Sequence, residues 1–207
     1  ISTNFISGDK IVKVIRPAIN LNIIDNSNTV WGYEKNKKIK IITVARNTWT
    51  KGYKYAIDAM KILRDKDIDF EYTIIAPGPD KEYIKYQILD YGLDDCIKYI
   101  PGIPNHLSIL EKIKSSHIYL LSSLSEGIAN VVIESMALGV PVVSTNCSGM
   151  PEVLNDGING FLVPTRSPEM ISKKIEYLMR LDKDNVNEII VNAKKTIKCF
   201  HDASIQI

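Results

Sequence analysis

Cysteine is scarce in this chain and poorly placed for cross-linking. Cys96, Cys147 and Cys199 are odd in number and form no C-x-x-C pair, so neither a disulfide framework nor a zinc site is expected, and a reducing, cytosolic setting fits. Long apolar runs are missing too: none approaches the roughly 18 consecutive apolar residues that mark a membrane-spanning helix. Charge of one sign is also lacking. The 26 basic residues nearly balance 24 acidic ones and leave a net charge of +2, too weak a field to gather nucleic acid or acidic lipid. Any anion site must therefore be local. Lys35, Lys37 and Lys38 precede an apolar strand and read as its solvated lead-in. The chain opens Ile1-Ser2-Thr3-Asn4 with no initiator methionine and no secretory signal, which reads as an excision point within a longer protein. Without such a signal the sequon-like Asn146-Cys147-Ser148 carries little weight.

What is present is an ordinary globular composition. Hydrophobic residues make up 45% and charged residues 24% of the 207 positions, enough for one good core and against disorder. From Ile39 onward, short β-rich apolar runs alternate with segments of helical period. Strands are expected at Ile39–Ala45, Phe70–Ala76, Ile97–Ile100, Ile118–Leu121, Val140–Ser144 and Phe161–Val163. Helices are expected at Tyr53–Leu63, Lys81–Leu89, Leu107–Lys114, Asn130–Leu138, Pro168–Leu181 and Lys183–Cys199. Alternation of this kind builds a Rossmann-like α/β fold, a doubly wound parallel sheet with helices on both faces. The strand-like run Ile11–Ile15 stops at Arg16-Pro17 and leads into an Asn-rich stretch, so residues 1–30 read as a tail and linker before a domain spanning 31–207.

Two stretches carry the chemistry. In Ser125-Glu126-Gly127-Ile128-Ala129-Asn130, a polar loop leaves the carboxyl end of a strand, where open α/β sheets bind ligands. Glu134 follows about one turn inside the next helix. Between the two glutamates lie the first free N–H groups of that helix, which suit phosphate oxygens. A carboxylate accepts two hydroxyl hydrogen bonds and suits a sugar. Spacing alone leaves a plainer account open, in which Glu126 caps the helix and Glu134 is a surface charge. The second stretch, Val44-Ala45-Arg46-Asn47-Thr48-Trp49-Thr50-Lys51-Gly52, places two cations in a loop between strand and helix. Unit charges about 4 Å apart interact by roughly 4 kcal/mol at an effective dielectric near 20, so two cations can stabilise a diphosphate without a metal. Trp49 is expected to cover neighbouring apolar surface.

The string from Glu126 to Glu134, continued by Ser135-Met136-Ala137-Leu138-Gly139-Val140-Pro141-Val142-Val143, resembles the glutamate-x7-glutamate signature of glycosyltransferase family four, often called group 1. These are retaining enzymes of GT-B fold, and the resemblance covers about Lys38 to Val163. It implies that Glu126 contacts the donor sugar, Glu134 the nucleotide ribose, and Arg46 and Lys51 the diphosphate, with Ala45 standing where the family usually has glycine. It also places Gly127, Ile128, Ala129 and Asn130 at the phosphates, and Gly78 at a strand end beside the donor. Gly102, Ile103 and Pro104 would line the base pocket, mostly through backbone. Ser148–Val153 and Asp156–Val163 complete the match and look structural. Val14 to Asn20 resembles the segment leaving the family's first domain, so the acceptor-binding half and its histidine would lie outside this chain. His106, His117 and His201 fall outside every matched motif and read as packing or surface residues.

The implied function is donor binding in transfer of a sugar, with retention, from a UDP-, GDP- or ADP-linked donor to a glycan or lipid-linked acceptor. Such a hexosyltransferase would serve polysaccharide or glycoconjugate biosynthesis with no cofactor, metal or nucleic acid, in the cytoplasm or at the inner membrane face. The alternatives are a non-catalytic nucleotide-sugar-binding module and a nucleotide-sugar epimerase of the same architecture. The D-x-D run Asp65-Lys66-Asp67-Ile68-Asp69 reads as a solvated turn; as a calcium loop it fails, with Phe70 and Ala76 at the positions that need glycine and glutamate. A glycosidase built on Glu126 and Glu134 needs only two acids, but the barrel that often hosts such enzymes takes about 250 residues.

Overall fold

The computed structural model of the chain describes residues 4–7, 10–13, 16–24, 31–79 and 82–204. Two short strands, β1 (Asn4–Ser7) and β2 (Lys10–Lys13), pair antiparallel. The domain then runs β3 (Ile39–Val44), α1 (Tyr53–Asp65), β4 (Phe70–Ile75), α2 (Glu82–Asp90), β5 (Ile97–Ile100), α3 (His106–Lys114), β6 (Ile118–Leu121), α4 (Asn130–Ala137), β7 (Val142–Thr145), β8 (Phe161–Val163), α5 (Pro168–Arg180) and α6 (Lys183–Phe200). Strands β3 to β8 form one parallel sheet in the order β5-β4-β3-β6-β7-β8. The chain builds outward from β3 in one direction, then returns to the other side of β3 with β6. That reversal opens a crevice at the carboxyl ends of β3 and β6, the place where such sheets bind ligands.

Both faces of the sheet are covered, which is why its strands read as near-continuous apolar runs. In β3, Ile39 and Ile41 face a core shared with Met60 and Leu63 of α1 and Ile171 and Ile175 of α5. Ile42 and Val44 face the other core, with Val132 and Met136 of α4 and Ala193 and Ile197 of α6. Helices α1 and α5 pack together on the first face, α4 and α6 on the second. Hydroxyls buried inside the sheet find partners. The Tyr119 hydroxyl donates to the Val44 carbonyl at 2.9 Å, and the Thr43 and Tyr72 hydroxyls meet at 2.8 Å, as buried polar atoms require.

The expected elements are present with ends shifted by one or two residues. The shifts of two residues are at the end of α1, which runs on to Asp65 rather than Leu63, and in β7, which enters the ladder at Val142 rather than Val140, where Tyr119 finds its partner. Pro141 precedes it, supplying only its carbonyl, which accepts from the Tyr119 amide at 2.9 Å, because proline has no N–H to give. Of the expected helix Lys81–Leu89, Lys81 lies outside the described residues, as do residues 14–15 and 25–30 of the amino-terminal stretch. Residues 17–19 lie against the end of α6: the Ile19 amide donates to His201 O at 2.9 Å and Ala203 N to Ile19 O at 3.0 Å. The His201 ring meets Pro17 O at 2.7 Å.

Candidate functional site at the sheet's switch point

The loop after β3 and the loop after β6 are joined across the crevice. Leu124 N donates to Thr50 O at 2.7 Å, and the Ser122 hydroxyl donates to Lys51 O at 3.0 Å. Gly52 sits at the closest approach, with φ +63° and its Cα so near β6 that a Cβ would stand 2.1 Å from Ser122 O. Only glycine meets both conditions. These contacts set Lys51 against the second loop, where its amino group pairs with the Glu126 carboxylate. Both side chains are largely withdrawn from solvent, at 14% and 17% exposure, so the pair is screened less than a surface one.

Glu126 is also approached by the Ser123 hydroxyl at 3.4 Å, and its carbonyl accepts from Gly149 N at 3.0 Å. A Cβ on Gly149 would lie 3.0 Å from the Gly127 carbonyl carbon, so the segment Ser148–Val153 supports the Glu126 loop from behind. The plainer account of Glu126 as a helix cap does not hold. The cap position of α4 is Ala129, and no side chain caps the helix. Its first amides are thus left for an acceptor from elsewhere, at the end where the helix dipole favours negative charge.

Glu134 is not a surface charge either. It lies on the inward side of α4, 9% exposed, and burial raises its pKa above the ordinary glutamate value. One carboxylate oxygen, Oε1, lies 3.2 Å from His106 Nε2, and the histidine pulls the pKa back down. The other, Oε2, is buried without a hydrogen-bond partner, a costly condition for a carboxylate. His106 was expected to be a packing or surface residue, and it does lie at the surface. Its ring is 58% exposed yet bonded to a site carboxylate, an arrangement that depends on α3 and α4 packing side by side, which spacing in the chain does not reveal. His117 and His201 are structural as expected. His117 Nδ1 accepts from Lys40 N at 3.0 Å, and His201 closes the Pro17 contact described above.

The remaining expected positions are distributed around the same rim. Arg46 is exposed, two residues beyond β3, with no ion pair among the described residues. Its neighbour Asn47, which the motif reading passed over, is buried and ties this loop to the next strand end. The Asn47 backbone N–H donates to Pro77 O at 2.9 Å, and its side-chain amide to Pro79 O at 3.2 Å and the Tyr99 hydroxyl at 3.1 Å. Gly78, in that turn, has φ +132°, whereas Gly102 has ordinary backbone and only van der Waals contact with Pro77. Ile103 is half-buried and Pro104 exposed in the turn before α3. Trp49, expected to cover neighbouring apolar surface, is instead 69% exposed. The Asp65–Asp69 run falls between α1 and β4, at the opposite end of the strands, with Asp65 paired to Lys61 and Asp69 to Lys38.

Residues 27–196 match the family model of glycosyl transferases group 1. The chain belongs to this family. It is 33% identical over 166 residues to the amylovoran biosynthesis glycosyltransferase AmsK of Erwinia amylovora, covering 77% of this chain and 40% of that protein. Its fold is that of the C-terminal domain of the group 1 glycosyl transferase LpcC from Francisella tularensis, at a TM-score of 0.76 and 21% identity, covering 90% of this chain and 100% of that one. It is also that of Anabaena Alr3699/HepE, solved in complex with UDP-glucose, at a TM-score of 0.77 and 19% identity, covering 93% of this chain and 54% of that one. The chain spans about two fifths of the length of the curated relatives it matches. Among the described residues, no helix is long and apolar enough to cross a membrane.

Proposed function

We propose that this group 1 glycosyl transferase chain forms the donor-binding half of an enzyme that transfers a sugar, with retention, from a nucleoside diphosphate donor. The observation that carries the reading is the Lys51–Glu126 pair beside the uncapped start of α4. It brings a cation, a hydroxyl-accepting carboxylate and free helix amides to one point of the crevice. In this reading the diphosphate lies against the amides around Gly127 to Asn130, with Lys51 and Arg46 stabilising it as it departs, without a metal. Glu126 accepts hydroxyls of the donor sugar. Glu134 takes the ribose hydroxyls, which would satisfy its unpartnered Oε2. Gly102, Ile103 and Pro104 border the base.

In the family resemblance the acceptor hydroxyl attacks on the leaving-group face, so no protein nucleophile is assigned here. The acceptor side belongs to a second domain, on residues 1–30 leading from it and 31–207 forming the donor domain. The structural neighbour solved with UDP-glucose supports a nucleotide-sugar donor, and the amylovoran relative supports a role in polysaccharide or glycoconjugate synthesis. Isothermal titration of UDP, GDP and ADP, with EDTA present, tests the reading. One of the three should bind, and Lys51→Ala and Glu134→Ala should each weaken it about tenfold or more, the loss of roughly 1.4 kcal/mol or more. Unchanged affinity in both variants would remove the proposal. A nucleotide-sugar epimerase is the alternative, and epimerised donor appearing without any acceptor would favour it.

A further inference from the structure

His106 is the first residue of α3, fixed in place by the preceding Asn105, whose side chain accepts from Leu107 N at 2.9 Å. Helix α3 packs beside α4, and this brings the imidazole to one oxygen of Glu134 while the other oxygen stays buried and unpartnered. The last torsion of a glutamate side chain is broad and nearly two-fold. A buried carboxyl with one partner is therefore held in a single rotation by that partner. Its ionised form is favoured by the same contact, against a burial that favours the neutral acid.

We propose that His106 is a positioning residue of the nucleotide site, holding the Glu134 carboxylate ionised and in one rotation, so that nucleotide binding depends on pH through this pair. The inference rests on the reading of Glu134 as the group that receives the ribose hydroxyls. The other groups facing Glu134 leave the task to His106. Tyr119 of β6 is a phenol raised well above its ordinary pKa by burial and already donating to Val44. Glu126 is tied to Lys51. From α6 and β7, the side chains in the core on this face include Ala193, Ile197 and Val142, all without charge. A neutral Glu134 loses acceptor capacity for two hydroxyls, so affinity falls as pH drops through its raised value. Without His106, burial acts unopposed and that fall moves to higher pH.

The test is titration of the nucleoside diphosphate that binds tightest of UDP, GDP and ADP, from pH 5 to 8.5, on the chain and on His106→Ala, His106→Gln and Glu134→Gln. His106 is exposed, and thermal melts check that its variants remain folded. His106→Ala should weaken binding about three- to tenfold at pH 8, and the pH of half-loss should rise by roughly half a unit or more. His106→Gln, which can donate to the carboxylate but carries no charge, should recover affinity at pH 8 but keep the raised midpoint. A merely structural histidine would shift affinity equally at every pH. If both His106 variants keep the parent affinity and midpoint while Glu134→Gln binds weakly, His106 has no such role and the nucleotide site stands. If Glu134→Gln binds as tightly as the parent, or none of the three nucleotides binds, the reading of the site itself is overturned and this inference with it.

Discussion

A methyl group at position 52 would stand 2.1 Å from the Ser122 carbonyl oxygen, in a backbone at φ +63° that side-chain-bearing residues rarely adopt. Gly52→Ala must therefore separate the two loops that hold Lys51 against Glu126. Urea unfolding should show a loss of about 2–4 kcal/mol, and nucleotide affinity should fall with it. Gly52 is legible in the sequence as the turn after Lys51, but its contact with Ser122 is not, because those residues are 70 positions apart. Glu134 presents the opposite case, a residue that costs the fold stability. A group whose folded pKa lies above its unfolded value supports the fold below the unfolded value and loses that support as pH rises through the folded one. Burial raises Glu134 above the ordinary glutamate value, so its ionised form opposes folding at neutral pH, and its Oε2 is unsatisfied besides. Glu134→Leu should gain roughly 1–3 kcal/mol at pH 7 and less at pH 4, while abolishing nucleotide binding. A destabilised variant at pH 7 would contradict this.

Helix α4 shows how one element serves both core and site. Val132, Ile133 and Met136 fill the core, whereas its amino end, capped only by Ala129, is left open beside Glu126 and Lys51. A run rich in apolar residues announced the helix; that no cap side chain bonds its first amides was seen only in the structure. Helix α3 is the counterpart. Its cap is Asn105, whose side chain accepts from Leu107 N, and Asn105→Ala should cost about 1 kcal/mol. Because the cap also places His106, the same change should weaken nucleotide binding at pH 8, a loss that His106→Ala would not deepen further. Equal binding by Asn105→Ala and the parent would separate the cap from the site. Most element ends fell within one residue of expectation. The start of β7 moved by two residues, because ladder entry is decided by which residue Tyr119 pairs with, a partner in another strand.

At the scale of the molecule, the proposed function makes two demands. A ligand that binds the folded chain alone stabilises it, by about 2.7 kcal/mol at a hundredfold excess over its dissociation constant, so the preferred nucleotide should raise the melting temperature by roughly 5–10 °C. Second, the chain spans about two fifths of its curated relatives, so it should bind donor but transfer no sugar when supplied with a nucleotide sugar and acceptor. Turnover by this chain alone would overturn the assignment of the acceptor side to another domain. The sequence by itself determined the alternation of strands and helices, the parallel doubly wound sheet, the positions of Glu126, Arg46 and Lys51 in loops that follow strands, and that of Glu134 in the next helix. All of these follow from local period and from the rule that such sheets bind at their carboxyl edge. Only the tertiary structure decided that Lys51 meets Glu126, that Glu134 is buried with one oxygen unpartnered, that Trp49 is exposed, and that His106 lies against Glu134. Those are contacts between loops and helices far apart in the chain, and no local pattern of residues encodes which distant side chain a packed helix will bring within 3.2 Å.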